Sequence, residues 1–266
     1  MNIIIRKVLV TVITCVCVMC MLNACGKEFV NSEKYNSYIC YDYHLKCLEA
    51  EGEKAEIEFS YQDDLTGVEC TQRAWIQRID GESDDMFIYA EVLPSLPLGS
   101  SEKIVMQNPN HYVDVWKDWS IEKIELYYID GHKPVDQDKP ANIPTAVIAT
   151  TVKDHCLSNI KNLAETTNEG GHRNIPEGYV REHIDENGSG YRYYIRVHFK
   201  ESENIVWESP VESYYSSENK DRIMYIDVGK EPDGIAYVNT KYVSINNYPS
   251  LFGWINEAMD TTDQVE

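Results

Sequence analysis

Few residues in this chain have the types and spacing that catalysis requires. After residue 25 the sequence contains none of the motifs G-x-S-x-G, H-E-x-x-H, G-x-x-x-x-G-K or G-x-G-x-x-G, which mark common hydrolases and nucleotide-binding proteins. The spacing S-x-x-K starts, for example, at Ser100, Ser158 and Ser217. We interpret all three as coincidences, because only Ser158 lies in a predicted helix and no K-T-G sequence follows. The motifs assign no catalytic and no cofactor-binding residue, and they favour a protein that is not an enzyme.

The residues that usually bind metals are also widely separated. No histidine stands at ligand spacing from another histidine or from a cysteine on a credible shared face. The seven histidines are His44, His111, His132, His155, His172, His183 and His198. A calcium-binding loop is imitated by Asp185, Asn187, Ser189 and Gly190. Arg196, however, stands where such a loop needs a bidentate glutamate, so we predict a hairpin turn here and no metal site.

Four cysteines follow Cys25, and two interpretations of the first pair compete. The four are Cys40, Cys47, Cys70 and Cys156, which allow three complete disulfide pairings. On a helix, Cys40, His44 and Cys47 would share a face that could bind a metal. On a strand, Cys40 and Cys47 point to opposite faces and do not pair with each other. We favour the strand, because apolar and polar residues alternate through this segment.

Paired tyrosines are the main candidates for ligand contact. Tyr127-Tyr128, Tyr193-Tyr194 and Tyr214-Tyr215 each place one ring on either face of a strand. The outer rings, together with Trp116, Trp119 or Trp207, could stack against a sugar or a protein partner. Ordinary packing within a sheet is the interpretation that we favour.

The alternation that would position these residues predicts a chain rich in β-strands. A hairpin is predicted from strands at 39–47 and 55–61, and a second one joins 179–184 to 191–200 around Asn187-Gly188. Further strands are predicted at 68–79, 86–92, 103–107, 111–116, 121–129, 146–152, 205–208 and 222–227, and within 235–245.

Two helices interrupt the strands. Apolar residues at helical spacing follow Asp154, which we interpret as an N-cap. A second amphipathic helix begins at Pro249, and we expect its apolar face to dock on its own domain. Strands and helices do not alternate regularly, which argues against the two-lobed α/β solute-binding proteins.

The N-terminal residues have the pattern of a targeting signal. Arg6 and Lys7 precede an uncharged apolar run at 8–22, whose length of about 15 residues is short of the ~20 that span a bilayer. The run ends in Leu22-Asn23-Ala24-Cys25, which resembles the lipobox of bacterial lipoprotein precursors, with Asn23 where a small residue is usual. The resemblance covers residues 1–25 and implies no fold for the rest. It implies that Cys25 becomes the N-terminus and carries a lipid at the outer face of the cell membrane.

The charge of the chain excludes one class of partner. The full chain has 24 basic and 44 acidic residues, a net charge of −20. Removal of residues 1–24 takes away Arg6 and Lys7 and no acid, which leaves a charge of −22. A chain this acidic does not bind nucleic acid through its overall field, and the lipid rather than the charge would hold it at a membrane.

An internal repeat is one hypothesis for the arrangement of the strands. The stretches 101–105 and 202–206 are similar, and each is followed by a strand that ends in Tyr-Ile-Asp. The alternative is chance similarity between strand segments of like composition.

We predict a mainly β fold of antiparallel sheets, with two tandem β-sandwich-like modules as one arrangement, a short linking helix and a C-terminal amphipathic helix. The predicted divisions are 1–24 signal peptide, 25–36 tether, 37–152 first β-rich module, 153–177 helix and linker, 178–247 second β-rich module and 248–266 C-terminal helix and tail.

The predicted function is that of a lipid-anchored, extracytoplasmic binding or interaction module without catalytic activity. Its expected partners are the membrane, through the lipid on Cys25, and a protein or glycan that the sequence does not identify. The alternative is a secreted hydrolase of wall or environmental polymers. Such enzymes use two carboxylates about 5–10 Å apart that come from distant positions and leave no local motif.

Overall fold

The alternation of apolar and polar residues produces antiparallel sheets through most of the molecule. The structure, a computed structural model, describes residues 32–62, 69–93, 102–130, 144–165, 173–183, 191–229, 232–233, 237–238 and 241–263. This part of the chain is mainly β-strand in antiparallel sheets, with a helix near its C-terminal end, which confirms the predicted fold class. Within these ranges, no helix is both long enough and apolar enough to span a membrane.

The strands and helices of the described ranges have the following bounds. The strands are β1 (Leu45–Cys47), β2 (Ala50–Gln62), β3 (Glu69–Ile79), β4 (Phe87–Val92), β5 (Glu102–Gln107), β6 (Ile121–Asp130), β7 (Ala146–Thr151), β8 (Val180–Arg181), β9 (Tyr191–Phe199), β10 (Ile205–Ser216), β11 (Asp221–Asp227), β12 (Pro232–Asp233), β13 (Tyr237–Val238) and β14 (Tyr242–Ser244). The α-helices are α1 (Val115–Asp118), α2 (Asp154–Ala164) and α3 (Pro249–Asp263), and 3₁₀ turns occupy Ser32–Ser37, Pro109–His111 and Ile245–Asn247.

Strands β2 to β5 form a four-stranded sheet in which each strand pairs with the next one along the chain. At the turn after β3, Gly81 has a backbone φ of +75°, a conformation that glycine adopts at little cost. Successive residues of β4 point to opposite faces: Ile88 packs with Tyr35 of the first 3₁₀ turn, whereas Phe87 packs into the core shared with the larger sheet. Strand β4 is therefore buried on both of its faces.

The larger sheet has eight strands. Six follow the order β14-β11-β10-β9-β6-β7, and β1 and β8 are additional partners of β10. On the inner face of the sheet, Ile124, Val197 and Trp207 lie side by side on β6, β9 and β10, and all three are buried. Burial of each such side chain contributes about 1.5–3 kcal/mol to stability.

Helices α2 and α3 pack against each other and cover part of this inner face. Leu251, Ile255 and Met259 recur every four residues, so they line one side of α3, and all are buried. Ile160 and Leu163 of α2 join the same core. The C-terminal helix thus docks on its own domain, as expected.

The long strand predicted at 39–47 and its hairpin with 55–61 are wrong. The carboxylate of Asp42 accepts the backbone N–H of His44 at 2.9 Å, and this local hydrogen bond competes with strand pairing. The strand here is confined to Leu45–Cys47, and it pairs with β10 rather than with β2.

Three cysteines of the described residues are buried: Cys40, Cys47 and Cys156. Cys40 and Cys47 lie in separate apolar clusters, which confirms that they do not pair with each other and contradicts a shared helical metal face. Burial raises the pKa of the Cys47 thiol to about 12, so this thiol is chemically inert at neutral pH. The prediction for Cys70 lies outside the described side chains.

Two other predicted segments contain helical turns. The strand expected at 111–116 is replaced by a 3₁₀ turn and α1, because the carboxylate of Asp114 accepts the N–H of Trp116 at 3.2 Å and caps the helix. The last residues of the stretch expected as a tether, 32–36, belong to a 3₁₀ turn in which Tyr35 is buried.

Two smaller predictions also differ from the structure. The second hairpin is wrong in its pairing, since β8 pairs with β10, through Arg181 and Tyr214, and not with β9. The dipeptide Asn187-Gly188 lies outside the described residues. Asp154 is the first residue of α2 rather than its N-cap, a position that Lys153 occupies without a side-chain hydrogen bond.

The strand pairing crosses the boundary drawn between the two modules. Strands β6 and β7 fall in the stretch 37–152, yet they join β9, β10 and β11 in the eight-stranded sheet. The similar stretches 101–105 and 202–206 lie at the starts of β5 and β10. Strand β10 pairs with the strand that follows it, β11. Strand β5 does not pair with the strand that follows it, because β5 and β6 lie in different sheets. Both halves of the chain therefore build one sheet.

Candidate functional site

Strand β10 changes partners along one of its edges. Its first half pairs with β9 up to Pro210 opposite Tyr194, and its second half pairs with β8 from Tyr214 opposite Arg181. Strands β1 and β11 occupy the other edge. Proline has no N–H to donate, and the pairing with β9 ends at this residue. Residues 211–213 therefore lie between the ends of two strands.

A cavity of about 460 Å³ lies at this gap, a volume within the range of small-molecule sites. Alternation along β10 places Val211 and Ser213 on the core side and Glu212 on the opposite side, so both faces of the sheet contribute to the lining. Its charged and aromatic residues include Arg181, Glu182, Arg192, Tyr193, Tyr194 and Glu212.

Glu212 anchors one end of the cavity. Its buried carboxylate lies 2.8 Å from Nη1 of Arg173 and 3.0 Å from Nη2 of Arg181. The Tyr214 hydroxyl donates to the same carboxylate at 3.2 Å and accepts from Arg173 at 3.2 Å. The Arg173 guanidinium also lies 4.1 Å from the centre of the Tyr242 ring. One carboxylate thus binds two guanidiniums.

Glu182 forms the opposite wall and connects it to the C-terminal helix. Its carboxylate accepts a hydrogen bond from the Ser213 hydroxyl. It also accepts from Nε and Nη2 of Arg222, at 2.6 and 2.9 Å. Nη1 of Arg222 reaches Asn256 at 2.7 Å and Asp260 at 2.8 Å, both on α3. Burial opposes the charge of Arg222, but its bonds with Glu182 and Asp260 outweigh this effect and raise its pKa.

His183 stands at the edge of the cavity in an unusual backbone conformation. Its φ is +61°, in the left-handed region that residues other than glycine adopt rarely. Its ring lies 4.9 Å from the ring of Tyr193, edge to face. A strained backbone conformation persists only where its surroundings hold it in place. The contact with Tyr193 is one such constraint on His183 at the edge of the cavity.

A closed polar layer lies behind Tyr194 on the outer face of the sheet. The rings of Tyr194 and Tyr127 stack, with centres 5.3 Å apart and planes 10° apart. The guanidinium of Arg196 lies 4.7 Å from the centre of the Tyr127 ring. Its Nε and Nη2 are each 2.5 Å from Oε1 of Glu208, and the two side chains are only 8% and 1% exposed. The Tyr194 ring is therefore packed against an ordered, buried layer of side chains.

Arginines bind both carboxylates of the cavity lining. Glu182 is bound by Arg222, and Glu212 is bound by Arg173 and Arg181. A carboxylate held in an ion pair accepts hydrogen bonds from neighbouring donors. Both groups are suited to hold a ligand or the walls of the site.

A second charged group lies on the same outer face, where β6 and β9 pair. Oε2 of Glu125 is 2.9 Å from Nε2 of His198, and Oε1 is 2.6 Å from Nζ of Lys123. The hydrogen bond with His198 is the main reason that the pKa of Glu125 falls to about 2; Lys123 acts in the same direction, while burial opposes both. Glu125 therefore stays ionised over the physiological pH range.

A third charged group is completely enclosed. Nε2 of His44 lies 3.8 Å from Oδ1 of Asp227, which also accepts backbone N–H groups of Gly229 at 2.9 Å and Lys241 at 2.7 Å. Burial alone would raise the pKa of Asp227, but the contacts with His44 and the two N–H groups lower it. The pair joins the N-terminal segment to the larger sheet, and its burial keeps ligands away.

The structure brings together only part of the predicted site. Cys25 lies outside the described residues. Tyr193 and Tyr194 point to opposite faces, as predicted, and both line the cavity. Trp116 and Trp207 are buried in the core, which confirms the ordinary packing that we favoured for them over a stacking platform. Among the described residues, no group of three or more potential metal ligands occurs.

The arginines of the site are absent from the sequence prediction. Five of the eight arginines of the chain fall between residues 173 and 222, in an otherwise acidic protein. They are Arg173, Arg181, Arg192, Arg196 and Arg222. This concentration is a signal that the sequence offers, but strand pairing decides which of the five share a site.

Comparisons with known proteins give no family for this chain. No protein-family model matches it, and neither the curated proteins nor the solved structures contain a match. The functional proposal therefore depends on the geometry of the chain itself.

Proposed function

We propose that this protein is a lipid-anchored, extracytoplasmic binding protein without catalytic activity, and that the cavity at the gap beside β10 is its ligand site. The observation that carries the proposal is this cavity, whose charged walls are held in place by ion pairs. A preformed concave site with a few fixed polar groups is the usual form of a ligand site.

The rigidity of the walls supports a binding role. Arg222 links Glu182 to α3, and the stack of Tyr127 supports Tyr194. Walls that are ordered before a ligand arrives lower the entropic cost of binding.

The lipid anchor is predicted from the residues around Cys25, and it is tested by separating the membrane and soluble fractions of cells. In the full-length protein, Cys25→Ala should move the chain from the membrane fraction to the soluble fraction and abolish labelling with a fatty-acid analogue. A chain that stays in the membrane fraction without its cysteine would refute the anchor.

Binding is tested with full-length protein in detergent micelles, on an array of neutral glycans, acidic glycans and peptides. We expect saturable binding that Tyr194→Ala weakens at least tenfold, with the ligand recovered intact by chromatography. His183→Asn is a second variant at the cavity edge, since asparagine tolerates a positive φ. Arg73→Gln, on an exposed side chain of the small sheet, is the matched control.

Two results would count against this assignment. Cleavage of a bound glycan would favour the hydrolase alternative. Binding that both cavity variants leave unchanged would place the ligand site elsewhere on the molecule.

A further inference from the structure

We infer that an exposed patch formed by Ile39, Tyr41 and Tyr112 lies against the interface of a lipid bilayer and orients the domain on the membrane. This inference rests on the proposed function, because it takes Cys25 as the residue that carries the lipid and adds a second contact with the same membrane.

Two residues of the patch lie in the segment that leads into β1. Tyr38, Cys40 and Asp42 are buried, whereas the two residues between them are directed outward. Ile39 is 44% exposed and Tyr41 is half-buried. The outward side of this segment is therefore apolar and aromatic.

Tyr112 completes the patch from another part of the chain. It is 50% exposed, and the centre of its ring lies 4.4 Å from that of Tyr41. Buried Gln107 joins the two segments: its backbone exchanges hydrogen bonds of 2.9 and 2.8 Å with Ile39, and its side chain accepts the N–H of Val113 at 3.1 Å. The three side chains thus form one connected surface, and connected apolar surfaces mark contacts with partners or membranes.

The chemistry of the patch fits a bilayer interface. A tyrosine has an apolar ring and a hydroxyl, and this combination is enriched at the level of the lipid headgroups. Isoleucine adds an apolar side chain for the boundary of the acyl chains. The charges that follow Tyr112 pair with each other, since Nζ of Lys117 lies 2.8 Å from Oδ2 of Asp114. This pairing limits the net charge beside the ring.

The position of the lipid keeps the patch close to the bilayer. Six residues separate Cys25 from Ser32, where the described fold begins, so the Cα atoms of these two residues are at most about 25 Å apart. A compact domain of this size has a radius of gyration of about 17 Å. A tether of that length therefore holds the side of the domain on which Ser32 lies nearer to the membrane than the opposite side.

Hydrogen bonds fix the place where the tether joins the domain. The turn Ser32–Ser37 is held by the Tyr35 hydroxyl, which donates to the carboxylate of Asp84 at 2.7 Å. The Tyr38 hydroxyl donates to the backbone carbonyl of Asp84 at 2.8 Å, and Ile39 follows directly. A surface held this close meets the bilayer at a high effective concentration, so a contact of a few side chains suffices.

The test uses the full-length protein, with its lipid, in vesicles of phosphatidylcholine. A small fraction of the phosphatidylcholine carries a diazirine near the glycerol. Light releases dinitrogen from the diazirine, and the resulting carbene inserts into C–H or O–H bonds of the residues that touch the lipid. Mass spectrometry of peptides then locates the lipid adducts.

We expect adducts on the peptides that contain Ile39 and Tyr112. The references are Val180 and Tyr215, which are also apolar and exposed, at 71% and 38%. They lie opposite each other at the far end of β10 from the residues that pair with β1, and we expect no adducts on them.

The variants test whether the side chains of the patch make the contact. Ile39→Glu should lower the adduct yield on the Tyr112 peptide about threefold, because a carboxylate is disfavoured at the bilayer interface, and Tyr112→Ser should have the same effect on the Ile39 peptide. Val180→Glu introduces the same charge at the reference site and should leave both yields unchanged. Thermal unfolding of each variant shows whether it is folded.

The other outcomes separate this inference from the proposed function. Adducts on Val180 or Tyr215 in place of the patch, or no adducts on the domain of a vesicle-bound protein, would overturn the contact and keep the anchor. A wild-type protein that does not bind the vesicles would overturn both. A dimer in detergent micelles that Tyr112→Ser converts to a monomer would assign the patch to a second copy of the chain instead.

Discussion

Two arginine–glutamate groups lie on the same face of β10, four residues apart, and they differ in their access to solvent. Glu208 and Arg196 form a pair whose side chains are 1% and 8% exposed. Glu212 is equally buried, but its partners Arg173 and Arg181 are 32% and 44% exposed. The first group is closed and the second opens into the cavity.

The difference shows that the number of charges does not distinguish a structural ion pair from a binding site. At Glu208, the guanidinium is enclosed beneath the Tyr127 ring and its charge is used within the fold. At Glu212, two cations share one anion, and both cations are partly exposed to solvent. Because the stability contribution of an ion pair depends on its burial, the two groups should respond differently to substitution.

The largest effect is expected at the closed pair. Glu208→Gln removes the carboxylate that lies 2.5 Å from the buried guanidinium of Arg196, which should lower the free energy of unfolding by about 3–5 kcal/mol. Urea denaturation measures this change. The double variant Glu208→Leu with Arg196→Met removes both charges and should recover much of the loss. If the free energy of unfolding of Glu208→Gln lay within about 1 kcal/mol of the wild-type value, the pair would behave as a solvent-exposed ion pair and the prediction would be wrong.

A smaller loss is expected where the wall of the cavity meets α3. Arg222→Gln removes the charged hydrogen bonds to Glu182 and Asp260 and should cost about 2 kcal/mol. Asp260→Asn is the matched control: its side chain is 51% exposed, so the loss should be clearly smaller. Equal losses in the two variants would place the stabilising contact on α3 rather than on Glu182.

Lowering the pH should remove the contribution that ionised Glu125 makes to the stability of the fold. Its pKa is lowered in the folded state from 4.5 to about 2, so the stabilisation is complete above pH 4.5. As the pH falls, the unfolded chain takes up its proton first, and the contribution decreases until it is lost below about pH 2. The stability difference between wild type and Glu125→Gln, from urea unfolding at several pH values, should therefore shrink between these limits. A difference that stays constant over this range would contradict the ion pair with Lys123 and His198.

The smallest effect on stability is expected at the open group. Arg181→Gln should change the free energy of unfolding by less than about 1 kcal/mol, because Arg181 is partly exposed and Glu212 keeps Arg173 as a partner. Arg196→Gln, measured in parallel by urea denaturation, should cost several times more. Equal costs would remove the distinction between the closed and the open group.

Several elements of the fold follow from local sequence pattern. Strands β3, β4 and β6 lie within a residue or so of their predicted bounds, because alternation of apolar and polar residues is a property of neighbouring positions. Helix α3 begins at Pro249, where it was predicted, and it buries the stripe that its spacing indicates.

The strands predicted at 39–47 and 111–116 failed for one physical reason. The side chains of Asp42 and Asp114 form hydrogen bonds with backbone N–H groups two residues ahead, and they convert apparently alternating segments into turns. Such short polar side chains compete with strand pairing, and a pattern of apolar residues does not reveal which interaction prevails.

The sequence by itself determined where most strands and the two longer helices lie, and that arginines are concentrated between residues 173 and 222. Only the tertiary structure decided that β6 pairs with β9, that β10 exchanges β9 for β8, and that Glu212 meets Arg173 and Arg181 while Glu208 meets Arg196. The physical reason is distance along the chain. Strand pairing joins residues far apart in sequence and depends on how the whole core packs, whereas periodicity and composition act over a few neighbouring residues.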